Sequence, residues 1–260
     1  MPVINDFVRT LRPAPVASVV ARILGLSRRR ILETRHGRFL VNPMSRFGHK
    51  LAIADYEPAT TDVLTRYLKP GDTFIDLGAN EGYFSVIGSG LVGPGGKVFA
   101  VEPQSRLQSV LAENFALNNS HNVQPVHAVI SDRTQTMQLH LASPLNNGGS
   151  SLFRHTKYPL RKQEVQSLTL AEFLTRYEIT KCDLMKVDIE GGEYEVFMSA
   201  GETLKSGIVR RIALDIHHSL LERRGLSGQR LHEHILACGY TPDESQGMPV
   251  YTFAALAGGL

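Results

Sequence analysis

Two short stretches of this 260-residue chain gather residue types that do chemistry. The first is Asp76-Leu77-Gly78-Ala79-Asn80-Glu81-Gly82. An acid closing a strand, followed by glycines that lead into a helix, is the composition of a nucleotide-binding turn at the carboxyl edge of a parallel sheet. The spacing is G-x-x-x-G, not the G-x-G-x-x-G that lets backbone approach a pyrophosphate, and two carboxylates beside it would repel one. Carboxylates suit a ligand with positive charge, such as S-adenosylmethionine with its ammonium and sulfonium groups. The second stretch is Lys186-Val187-Asp188-Ile189-Glu190-Gly191-Gly192-Glu193. On a strand Lys186, Asp188 and Glu190 point to one side. Such a cluster serves either a salt-bridged strand end, Lys186 with Glu190 or Glu193, or the handling of protons and cations.

These residues need elements to hold them. Thr73 to Leu77 is a short apolar run carrying Asp76, and the pattern predicts a helix from about Gly82 to Leu91. Lys97 to Val101 reads as the next strand and ends on Glu102, placed to take two ribose hydroxyls. A helix over 104–118 and a third strand over Val123 to Ile130 follow, the strand running into Ser131-Asp132, where an acid could accept an adenine amino group. Thr169 with Glu172 has capping-box spacing for a helix to about Tyr177. Asp183 to Ile189 and Arg210 to Ile216 read as strands, with helices over 193–200 and 227–238 and a last strand over 250–254. Strands alternating with helices imply a parallel sheet with helices on its faces. Met137 to Leu141 alternates like an edge strand, and 143–164 is a polar loop containing Gly148-Gly149-Ser150-Ser151. A loop of that length in a compact domain is usually functional. Its 143–157 part is expected to cover an acceptor, with Arg154, His155 and Lys157 suited to a phosphate or carboxylate on it.

Composition narrows the classes. Hydrophobic residues are 42% and charged residues 20%, which excludes a disordered chain. Twenty-three glycines and 13 prolines exclude a long coiled coil. Cys182 and Cys238 are too few for a disulfide framework or an all-Cys zinc site, and read as reduced thiols of a cytoplasmic protein. Net charge is +3, but residues 1–50 hold ten Lys/Arg against two acids, while 51–260 hold 18 against 23. The chain thus reads as a basic, partly helical arm (1–50) on a mildly acidic domain (51–260). In the arm Val16, Val19, Val20, Ile23 and Leu24 recur at helical spacing before Arg28-Arg29-Arg30. The expected use is docking of that apolar face on the body. The stretch 16–30 is also compatible with a membrane surface or nucleic acid.

The strings DLGANEGYFS, EP at 102–103, SD at 131–132 and KVDIEGGEYEVF, joined by SLTLAEFL and ALDIHH, resemble the FkbM family of S-adenosylmethionine-dependent methyltransferases over roughly residues 73–241. The resemblance implies an α/β class I methyltransferase fold: a Rossmann-like three-layer sandwich around a seven-stranded, mostly parallel sheet whose last strand is antiparallel. It implies that Asp76, Gly78, Asn80 and Gly82 line the methionine end of the cofactor, Glu102 the ribose and Asp132 the adenine. It further implies O-methylation of a hydroxyl on a sugar, glycolipid or polyketide-type metabolite. Asp215 stands where the family often has Glu.

Strands four and five end beside the methyl group in that topology. Asp188 is therefore the first candidate for the base, His217 the second, with Glu190 and His218 beside them and Lys186 holding Asp188 ionised or orienting the acceptor. Asp188, Glu190 and His217 also form a plausible divalent-cation set, although no metal is required by the pattern. An RNA methyltransferase recruited by the arm and a non-catalytic adenosyl-binding scaffold are the competing functions. The acidic body gives nucleic acid little to bind, and the fourth strand ends Asp188-Ile189-Glu190-Gly191 rather than in the Asn/Asp-Pro-Pro-aromatic turn of amino-methylating enzymes. The sequence leaves the oligomeric state open.

Overall fold

The computed structural model describes residues 14–153, 161–243 and 248–254. Its centre is a seven-stranded sheet built from β3 (Thr73–Leu77), β4 (Lys97–Val101), β5 (Val123–Val126), β9 (Leu184–Val187), β10 (Arg211–Leu214), β11 (Tyr240–Asp243) and β12 (Val250–Phe253). The spatial order is β11-β12-β10-β9-β3-β4-β5, and β12 runs antiparallel to both neighbours. The inner strands are apolar almost throughout because helices cover both of their faces. Period-two alternation divides their side chains. Ile75, Phe99, Met185 and Ile212 join one core with α6 (Leu170–Arg176), α7 (Glu193–Ser199) and α10 (Gly228–Ala237). Phe74, Val98, Leu184 and Ala213 join the other with α3 (Pro58–Tyr67), α4 (Tyr83–Val92) and α5 (Ser105–Leu117). This is the three-layer architecture expected from the sequence. The Thr169–Glu172 capping box at the start of α6 is present in full.

Elsewhere the chain departs from the expected pattern. The third strand does not run to Ile130. It leaves the main sheet after Val126, and β6 (Val129–Ile130) pairs instead with β8 (Arg161–Leu168), which also pairs with β7 (Thr136–Leu141) in a separate three-stranded sheet. Pro125 lies in β5, and a strand containing proline belongs at a sheet edge, which is where β5 sits. β8 takes up the end of the stretch expected to be loop. Near the N-terminus β1 (Arg30–Thr34) and β2 (Gly37–Val41) form a hairpin. Phe39 and Val41 are buried in the same core as Phe74 and Tyr83. Asn114 and Asn118 of α5 accept hydrogen bonds from the backbone N–H groups of Leu40 and Arg38. The packing of chain and body is therefore continuous across residue 50.

α1 (Ala14–Ile23) docks through only part of its expected apolar row. Ala21 packs with Met44 and Val20 lies against them, while Val16, Val19, Ile23 and Leu24 are exposed. Ala17 is buried as well, so small side chains make up much of the docked face. α2 (Arg46–Ile53) starts at Ser45, whose hydroxyl accepts from the Gly48 N–H. Among the described residues no helix is long and apolar enough to cross a membrane. Both cysteines are buried free thiols.

Candidate active site

A cavity opens at the carboxyl ends of β3, β4, β9 and β10. Its floor is the turn after β3. Gly78 has φ +84°, and a Cβ there would stand 1.9 Å from the Asp188 carbonyl oxygen, so only glycine lets the turns after β3 and β9 meet. Gly82, at φ +86°, lies against Leu111 and Phe115 of α5, where a Cβ would come within 2.9 Å of Leu111. Its requirement is helix packing, and it does not line the cavity. Asn80 has φ +51°, a left-handed conformation that Asn tolerates better than most residues. That conformation aims its backbone N–H at Glu102 Oε2, 2.9 Å away. The Gln104 N–H donates to the other carboxylate oxygen, also at 2.9 Å. Glu102 is only 3% exposed yet lines the cavity. Burial pushes its carboxyl up to about 7 against the opposing pull of these two amides. Asn80 Oδ1 is buried without a hydrogen-bond partner. Beyond Glu102 the wall becomes apolar, with Ala128, Val129, Ile130 and Leu139.

The other predicted cofactor residues lie elsewhere. Asp76 is fully buried behind the cavity wall, where its carboxylate meets Lys186 Nζ at 3.2 Å and accepts from the Ser85 hydroxyl at 2.7 Å. Lys186 is itself 2% exposed and also donates to the Gly78 carbonyl. Burial would lower its pKa, but the Asp76 and Asp188 carboxylates outweigh that and raise it. Asp132 follows β6 in the smaller sheet, off the rim of the main one. Its carboxylate pairs with Arg133, which holds it below the usual range. The three acids therefore do not lie along one rim, because the chain changes sheets between Val126 and Val129. Neither Asp132 nor Lys186 lines the cavity.

Sequence reasoning missed a second buried ion pair. Glu81 is 1% exposed, and its carboxylate is held by both terminal nitrogens of Arg29, at 2.6 and 3.2 Å, and by Asn147 Nδ2 at 2.8 Å. An arginine of the basic arm thus locks the turn after β3. Nothing local in the sequence joins residues so far apart. Asn147 belongs to the polar loop, and it lines the cavity together with its neighbours Gly148, Ser151 and Leu152. Arg154, His155 and Lys157 lie outside the described residues.

Asp188, Glu190 and His217 do converge, each partly buried, on the β9–β10 side of the cavity, across β3 from Glu102. His217 Nε2 lies 3.7 Å from Asp188 Oδ1 and 3.7 Å from Glu190 Oε2. Its Nδ1 is 2.9 Å from Oε1 of Glu193, which is fully buried at the start of α7. Burial alone would lower the imidazole's pKa, but the hydrogen bond to Glu193 and the charges of Glu193, Glu190 and Asp188 push it up to about 9. These three carboxylates thus favour the protonated imidazole. Burial, reinforced by Asp188 and Glu193 and opposed by His217, pushes Glu190 up to about 7. Glu190 has φ +52°, and its carbonyl accepts from the Ser151 hydroxyl, which ties it to the loop. Asp215 lines the same end; His218 begins α9 (His218–Glu222) away from the cavity wall. Arg46, Lys50, Tyr56 and Glu57 also line the cavity.

A family model described as Methyltransferase FkbM domain matches residues 76–242. No curated protein matches the chain. Among solved structures, the chain is similar to a methyltransferase FkbM from Methylobacillus flagellatus KT, at 13% identity and TM-score 0.46, covering 92% of this chain and 60% of that one. It is similar to M. jannaschii TYW2 in complex with AdoMet, at 14% identity and TM-score 0.45, covering 87% and 85%. It is also similar to Aeropyrum pernix fibrillarin with natively bound S-adenosyl-L-methionine, at 14% identity and TM-score 0.41, covering 75% and 73%. Likenesses at these scores do not bear on which acceptor this chain uses.

Proposed function

This chain belongs to the FkbM methyltransferase family, and from that premise we propose that it transfers a methyl group from S-adenosylmethionine to a hydroxyl of a small or glycan-type acceptor. The cavity wall fits the cofactor in order. Asn80 Oδ1 is an orphaned acceptor for an ammonium. Each Glu102 oxygen, with one amide already bound, keeps a lone pair for a ribose hydroxyl. The apolar slot of Ala128, Val129 and Ile130 suits a purine. Asp76 and Gly82 support this end from behind, and in this reading Asp132 takes no part in it.

S-adenosylmethionine, when bound, supplies an electrophilic methyl carbon. The observation that carries the hydroxyl reading is the group of carboxylates on the β9–β10 side, where Asp188 and Glu190 line the cavity beside His217. The chain's own part is proton handling: a carboxylate, Asp188 the first choice, would take the proton that the acceptor hydroxyl gives up on methylation. His217 Nε2 faces both Asp188 and Glu190 at 3.7 Å, and Lys186 reaches Asp188 at 3.9 Å, which keeps these carboxylates in place. The walls of the cavity align the reactants and exclude water. The two buried free thiols support a reducing, cytoplasmic setting.

The test is transfer of labelled methyl from S-adenosylmethionine by the full chain to a panel of sugars, glycolipids and polyols, with RNA alongside. Label on the hydroxyl panel, with one S-adenosylhomocysteine formed per methyl, supports the reading. Label on RNA alone would replace it with RNA methylation. Tight cofactor binding with no transfer to any acceptor would leave a scaffold. Arg29 bears against the RNA alternative, since its guanidinium is already engaged by Glu81.

A further inference from the structure

We propose that Asp188, Glu190 and His217 form a divalent-cation site at the acceptor end of the cavity, a proposal that rests on the methyl-transfer reading. One ligand atom from each residue lies within 4.8 Å of the other two. His217 Nε2 stands 3.7 Å from an oxygen of each carboxylate. Donor atoms bound at about 2.1 Å to one ion are about 3.4 Å apart in a tetrahedral and about 3.0 Å apart in an octahedral arrangement, so these contacts need close by less than an ångström.

The imidazole is aimed for this role. Its Nδ1 is fixed at 2.9 Å by Glu193, and a carboxylate on the far nitrogen is the arrangement that orients a metal-bound histidine. Glu193 is fully buried, and its Oε2 has no hydrogen-bond partner. A buried carboxylate with an unsatisfied oxygen, directly behind two more carboxylates, leaves negative charge that the imidazole offsets only in part. Lys186 adds little, since its ammonium lies closer to Asp76, at 3.2 Å, than to Asp188, at 3.9 Å.

Two carboxylate oxygens and one imidazole suit Mg²⁺, Mn²⁺ or Zn²⁺. Three protein ligands leave positions open toward the cavity, where an acceptor hydroxyl could complete the coordination and ionise more readily.

Mn²⁺ is the probe. Chelator-treated full-length protein, with saturating S-adenosylhomocysteine, is titrated with Mn²⁺ and free ion is followed by electron paramagnetic resonance. One saturable Mn²⁺ per chain is expected. Glu190→Gln and His217→Ala should each weaken it at least tenfold, and Glu193→Gln by 10- to 100-fold. Glu202→Gln, an exposed partner of Lys205, should leave it unchanged. Calorimetry with S-adenosylhomocysteine on each variant verifies that it is folded. Absence of saturable Mn²⁺ binding up to millimolar concentration, or binding equally tight in all three site variants, overturns the proposal while intact S-adenosylhomocysteine binding leaves the methyl-transfer reading standing. Loss of S-adenosylhomocysteine binding by the wild-type chain overturns both.

Discussion

The two ends of the cavity hold the same kind of side chain in opposite circumstances. Behind the donor end, Asp76 and Glu81 are buried and each has its own cation, Lys186 and Arg29. At the acceptor end, Asp188, Glu190 and Glu193 gather around the single imidazole of His217. A buried carboxylate matched one-to-one with a cation is part of the framework. Carboxylates that outnumber their cation, and that reach a cavity, are available for protons, metal or substrate. Partnering and exposure, more than residue type, separate the architectural acids from those proposed to react.

The largest effect should come from separating a framework pair. Lys186→Met leaves Asp76 uncompensated in the core and is expected to cost about 3–5 kcal/mol in chemical denaturation. The double variant Lys186→Met, Asp76→Leu should recover most of that loss. If the single variant were as stable as wild type, the framework half of the comparison would fail. Next, Asp188→Asn is expected to lower turnover by about 10²- to 10⁴-fold in the methyl-transfer assay while the fold melts normally. Full activity would show that the acceptor-end acids are not the reactive ones.

Arg29→Ala leaves Glu81 with Asn147 as its side-chain partner. The expected loss is about 1.5–3 kcal/mol of stability, together with weaker S-adenosylhomocysteine binding because the turn after β3 loosens. The smallest effect is a pH dependence. With the Glu102 carboxyl near 7 in the free chain, and the ionised form needed to accept two hydroxyls, affinity for S-adenosylhomocysteine should rise between pH 6 and pH 8 and then level off. Because this folded value lies above the unfolded one, near 4.5, the group contributes most to stability below the unfolded value and loses that contribution as pH rises through 7. Glu102→Gln should flatten the affinity profile.

Period-two alternation and capping chemistry are local, so the central strands, α6 with its capping box and the convergence of Asp188, Glu190 and His217 were legible in the sequence. Glu102 was legible for the same reason, as the acid closing the second strand. Asp132 was misplaced because an apolar run over 123–130 looks continuous, although Pro125 marked an edge from which the chain could leave the sheet. β8 was hidden because its outer positions are polar and only Val165, Ser167 and Leu168 are buried. The Arg29–Glu81 pair and the burial of Asp76 depend on contacts between distant segments. No spacing rule reports those, so a motif acid behind the wall and one on it read alike.

The most direct test of the division between donor and acceptor ends is calorimetric titration of S-adenosylhomocysteine into wild type, Glu102→Ala and Asp188→Asn. Wild type and Asp188→Asn should bind with equal affinity and Glu102→Ala should lose at least about tenfold, the cost of a charge-assisted hydrogen bond. No binding heat from wild type, or an Asp188→Asn loss as large as that of Glu102→Ala, would contradict that division.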